Sequence, residues 1–241
     1  MKGDLIIFDK DGTLIDFDAF WVSVSVYAVN DVLKKLNINV DTDRILLSFG
    51  VENGITDIDG ILCKGTYEQM GNAFFKIAKE CGYAGSEKEL TTLLVEAYNV
   101  NADRGKIKPT CKNIRTVIEN LKKGGRKLAV VTTDNAEITY KCLTELGIYD
   151  LFDKIFTDDG KTPVKPDPTC IIEYCRDNSI NHGDVIVVGD TITDIKFARG
   201  IGAVSVCVAS SEQNRQRLAL CADIVLNDIS QVANAIKEGI I

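Results

Sequence analysis

Residues 5–14 read Leu5-Ile6-Ile7-Phe8-Asp9-Lys10-Asp11-Gly12-Thr13-Leu14. The first four are apolar without alternation, the pattern of a strand covered on both faces. The run then breaks into two carboxylates around a lysine, followed by a glycine that lets the chain turn away sharply. An apolar strand that runs into acidic residues this early does not read as a signal peptide. The same short apolar runs recur at Leu128–Val131, Lys154–Phe156, Val185–Val188, Val204–Val208 and Ile224–Leu226. Helical spacing lies between them, at Cys111–Lys123, Ala136–Leu146, Thr169–Asn178, Thr193–Arg199 and Ile229–Lys237. Strand and helix in turn predict an α/β fold, a doubly wound parallel sheet with right-handed crossovers.

One interval breaks the alternation. Between Asp16 and Lys108 no buried strand is expected, whereas Ala19–Leu36, Thr66–Cys81 and Glu87–Asp103 carry helical spacing. The prediction is an α/β core over 1–15 and 109–241, with a helical cap domain inserted over 16–108. At 241 residues the chain is long enough to bury roughly 70% of its unfolded surface, so it needs no staples.

Composition removes several function classes. Hydrophobic residues make up 45% and charged residues 26%, as in an ordinary globular protein. No stretch approaches the about 20 apolar residues of a membrane span, so no membrane partner is expected. A net charge of −7 argues against nucleic acid, whose affinity comes from clustered Lys and Arg. Eight cysteines form no C-x-x-C pair, and His182 is the one histidine, so a zinc site is not expected. Reduced thiols point to a cytoplasmic location.

Ligands of open α/β sheets collect beyond the carboxyl ends of the strands, so the residues that follow each apolar run matter most. These are Asp9 and Asp11, then Thr132-Thr133-Asp134-Asn135, then Lys165 in Lys-Pro-Asp-Pro, then Gly189-Asp190 with Asp194. If Asp9, Asp11, Asp190 and Asp194 converge, they cannot all stay ionised alone. A hard divalent cation with oxygen ligands resolves the crowding, and Mg²⁺ suits few carboxylates and open positions. Metal and Lys165 together leave room for a phosphate dianion held by Thr132 and main-chain N–H groups, which reads as phosphoryl transfer. Asp9 and Asp11 stand two apart and can share a face, one as nucleophile and one as acid/base. Asp190 also precedes a helix, where an aspartate is a good N-cap. Asp134 and Asp158–Asp159 read as solvated loop acids.

These four segments, in this order, resemble the signature of the haloacid dehalogenase superfamily, in its capped phosphoglycolate phosphatase and β-phosphoglucomutase-like branch. The resemblance implies Asp9 as nucleophile and Asp11 as general acid/base. It implies Thr132, with the Thr133 N–H, and Lys165 as phosphate-binding groups. It also implies Mg²⁺ held by Asp9, the Asp11 main-chain carbonyl and Asp190, with Asp194 close behind. Lys10 departs from the apolar residue usual between the two aspartates of sugar-phosphate members. In the cap, Asp59–Thr66 resembles the substrate-specificity loop of capped relatives, which puts Lys64 and Thr66 forward as specificity residues. The activity implied is hydrolysis of a small phosphorylated metabolite, phosphoglycolate-like or a sugar phosphate, through an aspartyl-phosphate. A phosphomutase carrying the same motifs is the alternative.

Overall fold

The computed structural model describes residues 3–241. The chain divides into two compact units, one of Met1–Asp16 with Ile107–Ile241 and one of Phe17–Lys106. In chain order, β1 (Leu5–Phe8) precedes α1 (Ser23–Leu36), α2 (Thr42–Ser48), β2 (Val51–Glu52), β3 (Ile55–Thr56), α3 (Ile61–Lys64), α4 (Tyr67–Glu80) and α5 (Glu87–Asn101). There follow α6 (Ile114–Lys122), β4 (Lys127–Asn135), α7 (Ala136–Glu145), β5 (Lys154–Asp158), α8 (Thr169–Asp177), β6 (Val185–Gly189), α9 (Ile192–Ile201), β7 (Val204–Val208), α10 (Glu212–Leu218), β8 (Ile224–Leu226) and α11 (Val232–Lys237).

The first unit is a doubly wound α/β core around a six-stranded sheet of order β5-β4-β1-β6-β7-β8, all neighbours parallel. Every residue of β1 is buried, as its unbroken apolar run requires. Leu5 and Ile7 join Ala129, Val131, Val185 and Val187 under Ile171 of α8 and Phe197 of α9. By the two-residue period Ile6 and Phe8 turn to the opposite face, where the Phe8 ring meets Phe152 edge-on. The register decides where chemistry can gather. Phe8 pairs with Val130 on one side and with Val188 on the other, so the residues just past these three positions emerge at one level of the carboxyl edge.

Strand β4 runs past the expected Val131 to Asn135, with its ladder to β5 broken between those two residues. Such a bulge bends the strand and re-aims the side chains within it. All eight cysteines are free thiols, four of them buried. Among the described residues no helix is long and apolar enough to cross a membrane.

The second unit is mainly helical: α1 packs on α5, and α5 on α4. Gly71 of α4 permits that approach, because a Cβ there would lie 2.0 Å from the Thr91 hydroxyl. Two features differ from the sequence reading. A two-residue hairpin, β2–β3, turns through Asn53 and Gly54, both at positive φ, in the geometry that hairpin turns favour. Its strands are too short to leave an apolar run. The first helix opens with a π-helical turn, Asp18–Val22, whose Asp18 accepts hydrogen bonds from the main chain (3.0 Å) and hydroxyl (2.5 Å) of Thr56.

Inside this unit the buried Tyr98 hydroxyl donates to Ser25 Oγ at 2.6 Å, and Ser25 donates in turn to the Trp21 carbonyl at 2.7 Å. Tyr98→Phe removes the outer donor while Ser25 keeps its own acceptor. Urea denaturation is expected to show a loss of about 1 kcal/mol, the ordinary worth of one buried hydrogen bond.

Candidate active site

The carboxyl edge of β1 brings four of the expected residues together. Asp9 continues the strand, its N–H donating to the Val188 carbonyl at 2.9 Å. Carboxylate oxygens of Asp9, Asp190 and Asp194 all lie within 4.8 Å of one another. The ammonium of Lys165, itself buried, donates to Asp9 and, at 2.8 Å, to Asp194 Oδ1. Asp194 is fully engaged, because Thr191 donates to its Oδ2 through both N–H (3.1 Å) and hydroxyl (2.6 Å). This exchange is a capping box at the start of α9, so Thr191, not Asp190, caps the helix. The Asp190 carboxylate is thereby left to the site, where Thr13 donates to it at 3.3 Å.

Two glycines make room for the crowding. Gly12 has φ +81°, and a Cβ there would fall 2.1 Å from Asp190 Oδ2. At Gly189 a Cβ would lie 2.3 Å from Asp194 Cγ. Only a residue without a side chain lets both loops close on the acids.

Electrostatics follow from the inventory: three carboxylates face one ammonium, an excess of two negative charges. Burial pushes the Asp9 carboxyl up to about 7, with Lys165 opposing and Asp194 and Asp11 adding to the rise. Burial, then Asp9 and Asp194, holds Asp190 well above the carboxylate range. Lys165 is held above its ordinary value, since the pull of Asp9 and Asp194 outweighs the cost of its burial. A divalent cation would supply the missing charge, and this all-oxygen donor set suits a hard one. The residues present therefore fit Mg²⁺.

The family profile described as haloacid dehalogenase-like hydrolase matches residues 6–208, spanning the motifs just described. The chain belongs to the haloacid dehalogenase-like hydrolases. It is 30% identical over 203 residues to a phosphoglycolate phosphatase of Psychrobacter arcticus, covering 81% of this chain and 78% of that one. A Bacillus subtilis hydrolase of the same superfamily, crystallised with magnesium, superposes with a TM-score of 0.70 at 18% identity, covering 97% and 98% of the two chains. A Thermotoga maritima protein assigned as a β-phosphoglucomutase superposes with a TM-score of 0.68, also at 18% identity, over 99% of each chain.

In this haloacid dehalogenase-like hydrolase the remaining expected residues lie as follows. The Asp11 carboxylate stands apart from the three-acid cluster and accepts from Lys10 Nζ at 2.7 Å. Thr132 is buried in the β4 bulge, its Oγ1 accepting from the Asp134 N–H at 3.2 Å, while Thr133 is exposed. In the second unit Lys64 is exposed and ion-paired with Asp59. Thr66 caps α4 in a capping box with Gln69. Asp134 corrects the sequence reading: it is no solvated loop acid but lies 2.8 Å from the fully buried Lys10 ammonium. Burial, with Asp11 next, pushes its carboxyl up to about 6, against the pull of Lys10. The pair was missed because Lys10 had been weighed only against its apolar counterpart in relatives. Asp134 stands two residues past Thr132, a spacing that shares a face in a strand, and that was the available signal.

Gly12→Ala should leave a folded protein of somewhat reduced stability in urea. Its turnover should fall by roughly 100-fold, as displacement of a reacting group by about an ångström does. A variant with unchanged kcat would show that the contact with Asp190 does not matter.

Proposed function

We propose that this chain is a Mg²⁺-dependent phosphatase that hydrolyses a small phosphate ester through an aspartyl-phosphate on Asp9. The carrying observation is the cluster in which Asp9, Asp190 and Asp194 share a single ammonium, Lys165, at the carboxyl edge of the sheet. Asp9, Asp190 and the Asp11 main-chain carbonyl would hold the metal, with Asp194 beside them bracing Lys165. Bound there, Mg²⁺ neutralises the excess charge and polarises phosphoryl oxygens.

The chain's own groups supply the rest. Lys165 favours ionised Asp9 against the effect of burial, which keeps a nucleophile available near neutral pH. As the Asp9 oxygen bonds to phosphorus, the bond to the ester oxygen breaks and Asp11 gives that oxygen its proton. Asp11 then takes a proton from a water, which attacks the same phosphorus; inorganic phosphate leaves and Asp9 is restored. Thr132 Oγ1 accepts from its own strand, and its hydroxyl proton is assigned to a phosphate oxygen together with the Thr133 N–H. Selection of the ester is assigned to the inserted helical unit, with Lys64 and Thr66 as its candidate residues. The phosphoglycolate phosphatase name of the Psychrobacter arcticus relative supports phosphoglycolate as the first ester to try. The phosphomutase alternative rests on a likeness of fold alone.

Two outcomes are expected in assays of phosphoglycolate and p-nitrophenyl phosphate. Asp9→Asn, which preserves shape, should lose turnover by several orders of magnitude while its melting temperature stays close to or above that of the wild type. EDTA should abolish wild-type activity and added Mg²⁺ restore it. Undiminished hydrolysis by Asp9→Asn, or activity that EDTA leaves intact, would overturn the proposal.

A further inference from the structure

Lys10 is the largest buried cation of the core that this mechanism leaves without a task. It is 0% exposed, between Asp11 Oδ1 at 2.7 Å and Asp134 Oδ2 at 2.8 Å. Neither acid belongs to the three-carboxylate cluster. Stability gives little reason for such an arrangement, because well-packed apolar side chains in place of a buried ion pair are often neutral or stabilising. What the ammonium does supply is direction. An aspartate on a loop can rotate about two torsions, and a charge-assisted hydrogen bond to one of its oxygens restricts both. Asp134 anchors the ammonium from the far side, and Asp134 is itself fixed by its N–H bond to Thr132 Oγ1 in the β4 bulge.

We infer that Lys10 and Asp134 are positioning residues that hold the Asp11 carboxyl in the orientation from which it protonates the leaving oxygen. The inference rests on the reading of Asp11 as general acid/base. The ammonium faces Oδ1, so the transferable proton sits on Oδ2, which fixes the oxygen that serves the ester. The same anchor runs through Asp134 to Thr132, so the acid and a phosphate-binding hydroxyl are set by one connected group of side chains. The demand for this alignment grows with the basicity of the leaving group: p-nitrophenolate departs with little help, whereas phenolate or an alkoxide needs its proton delivered in place.

The test is the dependence of kcat on leaving-group basicity over a series of substituted phenyl phosphates, from phenyl to p-nitrophenyl, at saturating Mg²⁺. Wild type, Asp11→Asn, Lys10→Met and Asp134→Asn are compared. Wild type should show a shallow dependence and Asp11→Asn a steep one. Lys10→Met and Asp134→Asn should be intermediate, each losing roughly tenfold more on phenyl than on p-nitrophenyl phosphate, a part of the full general-acid effect. The double variant should lose no more than the worse single one, as members of one group do. Asp134→Asn, near-isosteric at a half-buried position, carries the test if Lys10→Met does not fold. A uniform loss across the series in both variants, with Asp11→Asn still steep, would make Lys10 and Asp134 merely structural and overturn the inference. A shallow dependence in Asp11→Asn would instead overturn the acid/base reading, and the inference with it.

Discussion

The structure turns on one shortage of positive charge. Parallel register at β1 delivers Asp9 and Asp190 from neighbouring strands to one level, and α9 adds Asp194 a turn later. Lys165 is the single ammonium shared among them. A cluster of this kind is unfavourable in isolation, so the surrounding backbone must hold it in place. Gly12 and Gly189 remove the side chains that would keep the acids apart, and the Thr191 capping box locks Asp194 from behind. The binding of a cation and of a phosphate dianion are then two halves of one electrostatic requirement.

A second charge group lies beside the first and is balanced differently. Lys10, Asp11 and Asp134 form their own ionic set, again with more carboxylates than ammonium groups. Asp11 thus belongs by sequence to the nucleophile's loop but by contact to a separate set of partners. Placing the two aspartates of one short motif in different ionic environments gives them different protonation behaviour, which is what a nucleophile and a proton donor need.

Much of this could be read in the chain itself, for definite reasons. Strands such as Val185–Gly189 and Val204–Val208 are buried on both faces, and burial writes itself into sequence as unbroken apolar runs. The site residues follow such runs directly, so finding the strands located Asp9, Thr132 and Asp190. Features set by local polar geometry were less visible. The β2–β3 hairpin has only two residues on each side, and α2, α3 and α10 are short helices with little apolar spacing. Asp190 and Thr191 are both plausible caps by residue type; Asp194, three residues beyond Thr191, decides between them by returning the bond. The pairing of Lys10 with Asp134 spans more than a hundred residues, and no pattern within one segment encodes it.

The position of the inserted unit bears on how the chain reaches this state. β1, the most buried strand, finds its partners only in β4 and β6, so its apolar edges stay open until all of residues 17–106 have been made. At either side of that insert the chain returns to itself: the Asp16 N–H donates to the Lys108 carbonyl at 2.8 Å and the Thr110 N–H to the Leu14 carbonyl at 3.2 Å. An insert that folds early and brings its two ends together replaces a long loop by a short one, lowering the entropy of joining β1 to β4. The helical insert would then act during synthesis as an internal splint, shielding the order in which the central sheet is assembled as well as serving the finished enzyme.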